Sequence, residues 1–141
     1  MAVLGKKIFL SQNAFLAFID RAHPKHAQAT AYFRYFAQQK YQLYTGYLNI
    51  LEAYTGMFKN ISPTLARDFM RAVALGNVNV LFPTESDMKA AIKTLIRAQS
   101  NELKFSDAQM EVLAYRNGIS QILTFDYLPP LFGLTAFSLP L

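Results

Sequence analysis

The chain has 141 residues, 52% of them apolar, with 12 Phe and 8 Tyr, no cysteine, a net charge of +5 and an isoelectric point near 9.5. Without cysteine there is no disulfide, thiolate metal centre or Cys nucleophile, so any metal falls to oxygen ligands or to His23 and His26. One apolar core is within reach of this length, and charges or prolines break every apolar run short of the roughly 18 residues a spanning helix needs, so a single cytoplasmic domain over residues 1–141, away from any membrane, is expected, with a basic exterior suited to a polyanion.

Residues 7 to 10 read as a short buried strand, followed by the polar trio Ser11, Gln12 and Asn13. Asn13 can cap a helix over 14 to 20, with Phe15, Leu16 and Ile19 on one face. His23 and His26 are three apart, but Pro24 between them disfavours regular helix at the preceding residue and suits a solvated helix start better than a metal pair. From Lys25 to Gln39 a second helix carries Tyr32, Phe33, Tyr35 and Phe36, apolar around so much of its circumference that these rings serve either the core or a dimer face.

Gln42 to Tyr47 is a second strand candidate, and Ile50, Leu51, Tyr54, Met57 and Phe58 then mark the inward stripe of a helix. Ser62-Pro63 starts another helix that Gly76 closes, and Val78 to Phe82 is a third strand. Thr84 with Asp87 resembles a helix-start box opening a helix to Ala98, with Met88, Ile92, Leu95 and Ile96 inward. Ser106 with Gln109 repeats that box before a helix over Asp107 to Asn117, which Gly118 stops; Ser120 to Phe125 is a fourth strand, and Ala136 to Leu139 suits a fifth. Strands separated by helices imply an α/β fold, a three-layer α/β/α sandwich around a central parallel sheet of four to five strands.

No G-x-G-x-x-G, P-loop or G-x-S-x-G motif is present, which leaves dinucleotide binding, P-loop nucleotide binding and serine hydrolysis without support. The nine acids say more. Glu52 lies in the first turns after the second strand, Asp107 in the first turn of a capped helix, and Asp126 at the end of the fourth strand, which are the places where such a sheet opens its crevice. Each has a plain structural use alone. Together they form the oxygen-only pocket a hard divalent cation requires, and such a cation beside a basic exterior points to phosphodiester cleavage.

The segments FLSQNAFLAFID, LNILEAYT around Glu52, FSDAQMEVLAYRNGI around Asp107 and ILTFD ending at Asp126 together resemble a PIN domain, the small ribonuclease fold of VapC-type toxins from toxin–antitoxin pairs. The resemblance spans roughly residues 7 to 139. It implies that Glu52, Asp107 and Asp126 ligate Mg²⁺ or Mn²⁺ and are the catalytic acids, and that Ser11, Asn13, Ser106 and Thr124 orient ligands and substrate. One position departs: Ser11 stands where the family's first-strand pattern Asp-x-Asn has aspartate, while Asn13 keeps the asparagine. A hydroxyl brings no charge to hold a divalent ion against its hydration, so weakened metal binding with an intact fold is expected. The resemblance then implies a metal-dependent endoribonuclease of toxin type, impaired at Ser11 and acting on single-stranded RNA, with Lys25, His26, Lys104 and Arg116 as candidate phosphate contacts. The alternative is a catalytically silent PIN-like module that binds RNA or protein. The aromatic helices of such a module, especially Tyr32 to Phe36, would form a homodimer or receive an antitoxin-like protein.

Overall fold

A computed structural model of the chain describes residues 6–98, 103–125 and 134–137. In chain order the elements are β1 (Lys7–Leu10), α1 (Gln12–Ile19), α2 (His26–Gln38), β2 (Gln42–Gly46), α3 (Tyr47–Asn60), α4 (Pro63–Ala74), β3 (Asn79–Leu81), α5 (Glu85–Arg97), α6 (Phe105–Arg116), β4 (Gln121–Leu123) and β5 (Thr135–Ala136). The five strands form one parallel sheet in the order β3-β2-β1-β4-β5, as the alternation of strands and helices implied.

Side chains on β1 alternate between the two faces of the sheet. Ile8 and Leu10 join Leu123 in a core built with α1, α2, α3 and α4, whereas Phe9 joins Ile122 in a second core under α6. Helix α5 packs on α6. Sheet and flanking helices thus form the expected three-layer α/β arrangement.

The helix-start signals at two places act as read. Ser62 Oγ accepts from the backbone N–H of Thr64 and of Leu65 at 3.1 and 3.3 Å. Thr84 and Asp87 exchange both bonds of the box, at 2.9 and 3.1 Å, worth about 1 kcal/mol for the cap alone. Two other starts differ. Ser11, not Asn13, holds the position before α1, and its hydroxyl makes no cap bond. Ser106 lies inside α6, whose start is Lys104, because the carboxylate of Asp107 reaches back to the Lys104 N–H at 3.0 Å and so moves the start two residues earlier.

The inward stripes of α3 and α5 hold in part: Ile50 and Met57 are buried, and Tyr54, Met88 and Leu95 are half-buried. Leu51 and Phe58 are exposed, as are Ile92 and Ile96. The buried positions are Asn49, Ile50, Ala53 and Met57 on α3, and Asp87 and Ala91 on α5. A small alanine lets each helix approach its neighbour closely, and that contact sets the phase against the larger side chains.

The α2 rings belong to the core. Phe36 is buried, with Phe137 at 5.1 Å and Tyr41 at 5.1 Å between centroids, and Tyr32 lies 5.8 Å from Phe125. Such pairs add about 0.5–1.5 kcal/mol each beyond area burial. Of the two uses expected for these rings, the packing supports the core: Phe36 is buried, and Tyr32, Phe33 and Tyr35 are half-buried against it. Burial also raises the Tyr41 phenol above its ordinary value of 10.0, with Tyr35 acting in the same direction. Among the described residues no helix is long and apolar enough to cross a membrane.

Candidate active site

Because every strand is parallel, Leu10, Gly46, Leu81 and Leu123 end at one edge of the sheet. Helices α1 and α3 start there, and α6, which runs back to feed β4, starts there as well. From β1 the chain moves through β2 to β3 and then returns to the other side of β1 as β4. The reversal leaves a crevice between the ends of β1 and β4, the place where open sheets of this kind bind ligands.

That edge holds nearly all the buried polarity described. Ser11, Gln12, Asn13, Thr45, Asn49, Ser106, Asp107 and Gln109 are buried there, and only Asp87, in its helix-start box, stands elsewhere. Burying polar groups is unfavourable unless they are paired, so their concentration marks a built site.

The pairing starts at the crevice. Ser11 Oγ lies 2.9 Å from the Leu123 carbonyl and 2.9 Å from Asn13 Oδ1, two acceptors for one hydroxyl proton. Asn13 Nδ2 donates to Thr124 Oγ1 at 2.8 Å, and Asn13 Oδ1 accepts from the Phe125 N–H at 2.9 Å. Asn13 and Thr124 thus stitch the start of α1 to the end of β4. Asp126, the next residue, lies outside the described residues.

Helix α3 is fixed from two sides. Asn49 Nδ2 donates to Gln12 Oε1 at 2.7 Å, and the Leu48 N–H donates to Gln109 Oε1 at 3.3 Å. Thr45 Oγ1 donates to the Leu10 carbonyl at 2.7 Å, closing the β1–β2 end. A Cβ at Gly46 would sit 2.8 Å from Asn49 Oδ1 and 3.2 Å from Leu113 Cδ1, so a larger residue at the turn from β2 into α3 would push the buried Asn49 side chain aside. Thr45 and Asn49 were not singled out in the sequence, and Gln12 and Gln109 were noted there only as part of a polar trio and of a helix-start box. The readable signal was a polar side chain on an apolar helical face, as with Asn49 four residues before the buried Ala53.

Glu52, held by this scaffold, is about a third exposed, and its Oε2 lies 3.9 Å from Lys104 Nζ. Asp107 is buried, and its Oδ2 accepts from the Lys104 N–H. The two carboxylates therefore meet at one residue, Lys104. Ser106 is buried beside Asp107, and its Oγ has no hydrogen-bond partner among the described residues. No group of three or more His, Asp or Glu residues assembles among the described residues. The donors present, two carboxylates and an unpaired buried hydroxyl, are all hard oxygens, which suits Mg²⁺ or Mn²⁺.

The remaining candidates go elsewhere. Arg116 sits at the far end of α6, about 13 Å along the axis from Asp107, and pairs with the buried Asp87 at 2.8 Å. His26 Nδ1 lies 2.9 Å from the Ala17 carbonyl, and His23 Nδ1 accepts from the Lys25 N–H. These histidines serve local structure.

Fold and crevice together define a PIN-like, VapC-like architecture. The VapC20 toxin of Mycobacterium tuberculosis, which cleaves the sarcin-ricin loop, matches with a TM-score of 0.76 over 84% of this chain and 89% of its own, at 21% identity. A chain of FitAcB from Neisseria gonorrhoeae matches with a TM-score of 0.67 over 93% and 96%, at 14% identity. At such identities the likeness establishes the fold. No family model matches the chain, and no curated protein matches it in sequence.

Proposed function

We propose that the chain is a PIN-like endoribonuclease of toxin type, dependent on Mg²⁺ or Mn²⁺ and weakened by Ser11. The observation that carries this reading is the meeting of Glu52 and Asp107 at Lys104, on the sheet edge that Asn13 and Thr124 close. Glu52, Asp107 and Asp126 would hold the cation, which when bound supplies charge stabilisation and a more acidic water at the scissile phosphodiester. Asn13 and Thr124 fix the strand end that leads to Asp126, and Ser106 Oγ offers its unpaired hydroxyl to a ligand oxygen. Lys104 is the basic side chain best placed to meet an RNA phosphate, and the cytoplasm is where such RNA is found.

Single-stranded RNA incubated with the protein and Mn²⁺ tests the reading. Cleavage is expected to be slow, abolished by EDTA, and reduced about 30-fold or more by Asp107→Asn, which removes a charge and keeps the shape. Cleavage that persists in EDTA or in Asp107→Asn would remove the reading.

A specific observation favours a second reading. The Ser11 hydroxyl donates its proton to the Leu123 carbonyl or Asn13 Oδ1 within the fold, as suits a silent module that binds RNA or protein. An antitoxin-like peptide would fit the apolar cleft of about 320 Å³ lined by Phe15, Phe18, Phe33, Leu65, Phe69 and Val73. RNA bound but uncut in both metals would select this reading.

A homodimer would use a different surface from α2. Tyr47 and Leu51, one turn apart on α3, are exposed, and the Phe82 ring lies 5.7 Å from that of Tyr47. Light scattering is expected to give twice the 16.0 kDa chain mass and Leu51→Glu the single mass; a monomeric parent rejects the dimer.

A further inference from the structure

Lys104 is in contact with both described carboxylates, through its backbone to Asp107 and through its ammonium to Glu52. The two contacts have different strengths. The backbone bond, at 3.0 Å to a buried acceptor, is part of the helix start and persists whatever the side chain does. The ammonium, at 3.9 Å and about half exposed, is held by charge alone and is free to leave.

Glu52 and Asp107 both reach this residue, and two carboxylates that share a site repel each other. A cation between them relieves the repulsion. In the described structure the ammonium of Lys104 is the cation beside Glu52. A divalent ion taking Glu52 as a ligand would stand a few ångströms from the same ammonium. Either cation can neutralise Glu52, and each disfavours the other.

We propose that Lys104 is a built-in competitor for the metal site: its ammonium occupies Glu52 in the metal-free protein and must be displaced when Mg²⁺ or Mn²⁺ binds. This rests on the metal-dependent reading above and adds a regulation to it. The chain then holds its site closed to cations at low metal concentration through two features, a neutral Ser11 and a displaceable positive charge at Glu52. Charges of +2 and +1 about 6 Å apart in a water-like medium repel enough to change affinity on the order of tenfold.

Calorimetric titration of Mn²⁺ into the full chain tests this without reference to cleavage, using Lys104→Met and Lys104→Arg. Methionine keeps the stem and the backbone N–H that starts α6, and arginine keeps the charge. Lys104→Met is expected to bind Mn²⁺ on the order of tenfold more tightly than the parent, and to melt at a slightly lower temperature in EDTA because Glu52 loses its counter-charge. Lys104→Arg is expected to stay near the parent in both. A parent that binds Mn²⁺ beside a Lys104→Met that binds it equally or more weakly overturns the competition and leaves the metal site standing. If neither protein binds Mn²⁺, the competition and the metal-dependent reading fall together.

Discussion

Ser11→Asp is expected to destabilise the metal-free protein and to raise metal-dependent cleavage. Ser11 is buried at 3% exposure, and its hydroxyl is a donor to the Leu123 carbonyl or Asn13 Oδ1. A carboxylate has no proton to give and would face two acceptor oxygens. The loss is about 1–3 kcal/mol, felt in EDTA as a fall of several degrees in melting temperature. Bound Mn²⁺ reverses the sign, because the added charge is then an attraction, and binding to the folded state alone stabilises it by mass action. If the new carboxylate supplies about 2–4 kcal/mol of transition-state stabilisation, cleavage rises about 30- to 1,000-fold. A Ser11→Asp protein that melts no lower in EDTA and gains nothing from Mn²⁺ would show that position 11 does not face the metal.

The second large effect is expected at Asn13. Its amide bridges the crevice by donating to Thr124 Oγ1 and accepting from the Phe125 N–H. Asn13→Ala removes both partners and leaves the half-buried Phe125 N–H without its acceptor, a loss of about 2–4 kcal/mol. Asn13→Asp loses less, since a carboxylate still accepts from Phe125 and the Thr124 hydroxyl can turn to donate. Urea denaturation should rank the parent above Asn13→Asp, and Asn13→Asp above Asn13→Ala. Cleavage by Asn13→Ala should fall even where the protein remains folded, because Phe125 precedes Asp126 and loosening that strand end misplaces the acid. Equal stabilities for the alanine and aspartate variants would show that the bridge is dispensable.

Local chemistry made much of the fold legible. Ser62-Pro63, the Thr84–Asp87 box and the glycines at the ends of α4 and α6 are punctuation that needs no distant partner; Gly76 and Gly118 adopt φ of +83° and +68°, where other residues are strained. What failed depended on contacts remote in sequence. Leu51 and Ala53 both fit a helical period, and only the packing of α3 against its neighbours turns Ala53 inward. Asn13 looked like a helix cap, yet its side chain and that of Ser11 turn to the end of β4, about 110 residues away. The α2 rings left core and dimer face both open because their partners, Phe125 and Phe137, lie near the other end of the chain.

The site follows the same division. Glu52 and Asp107 were identifiable because acids are scarce and each follows a recognisable break in the pattern. Lys104 had three basic competitors in the sequence, and its special position depends on α6 starting two residues earlier than Ser106 suggested. Gln12 and Asn49, which lock α1 to α3, carried no signal beyond being polar where apolar residues were expected.

The most direct measurement of the central claim, a PIN-like nuclease weakened at Ser11, is cleavage of one mixed single-stranded RNA in Mn²⁺ by the parent, by Ser11→Asp, and by Ser11→Asp combined with Asp126→Asn. The account predicts slow cleavage by the parent, faster cleavage by Ser11→Asp, and a return to background in the double variant. A Ser11→Asp protein that binds Mn²⁺ and cuts no faster than the parent, or a double variant as active as Ser11→Asp alone, would contradict it.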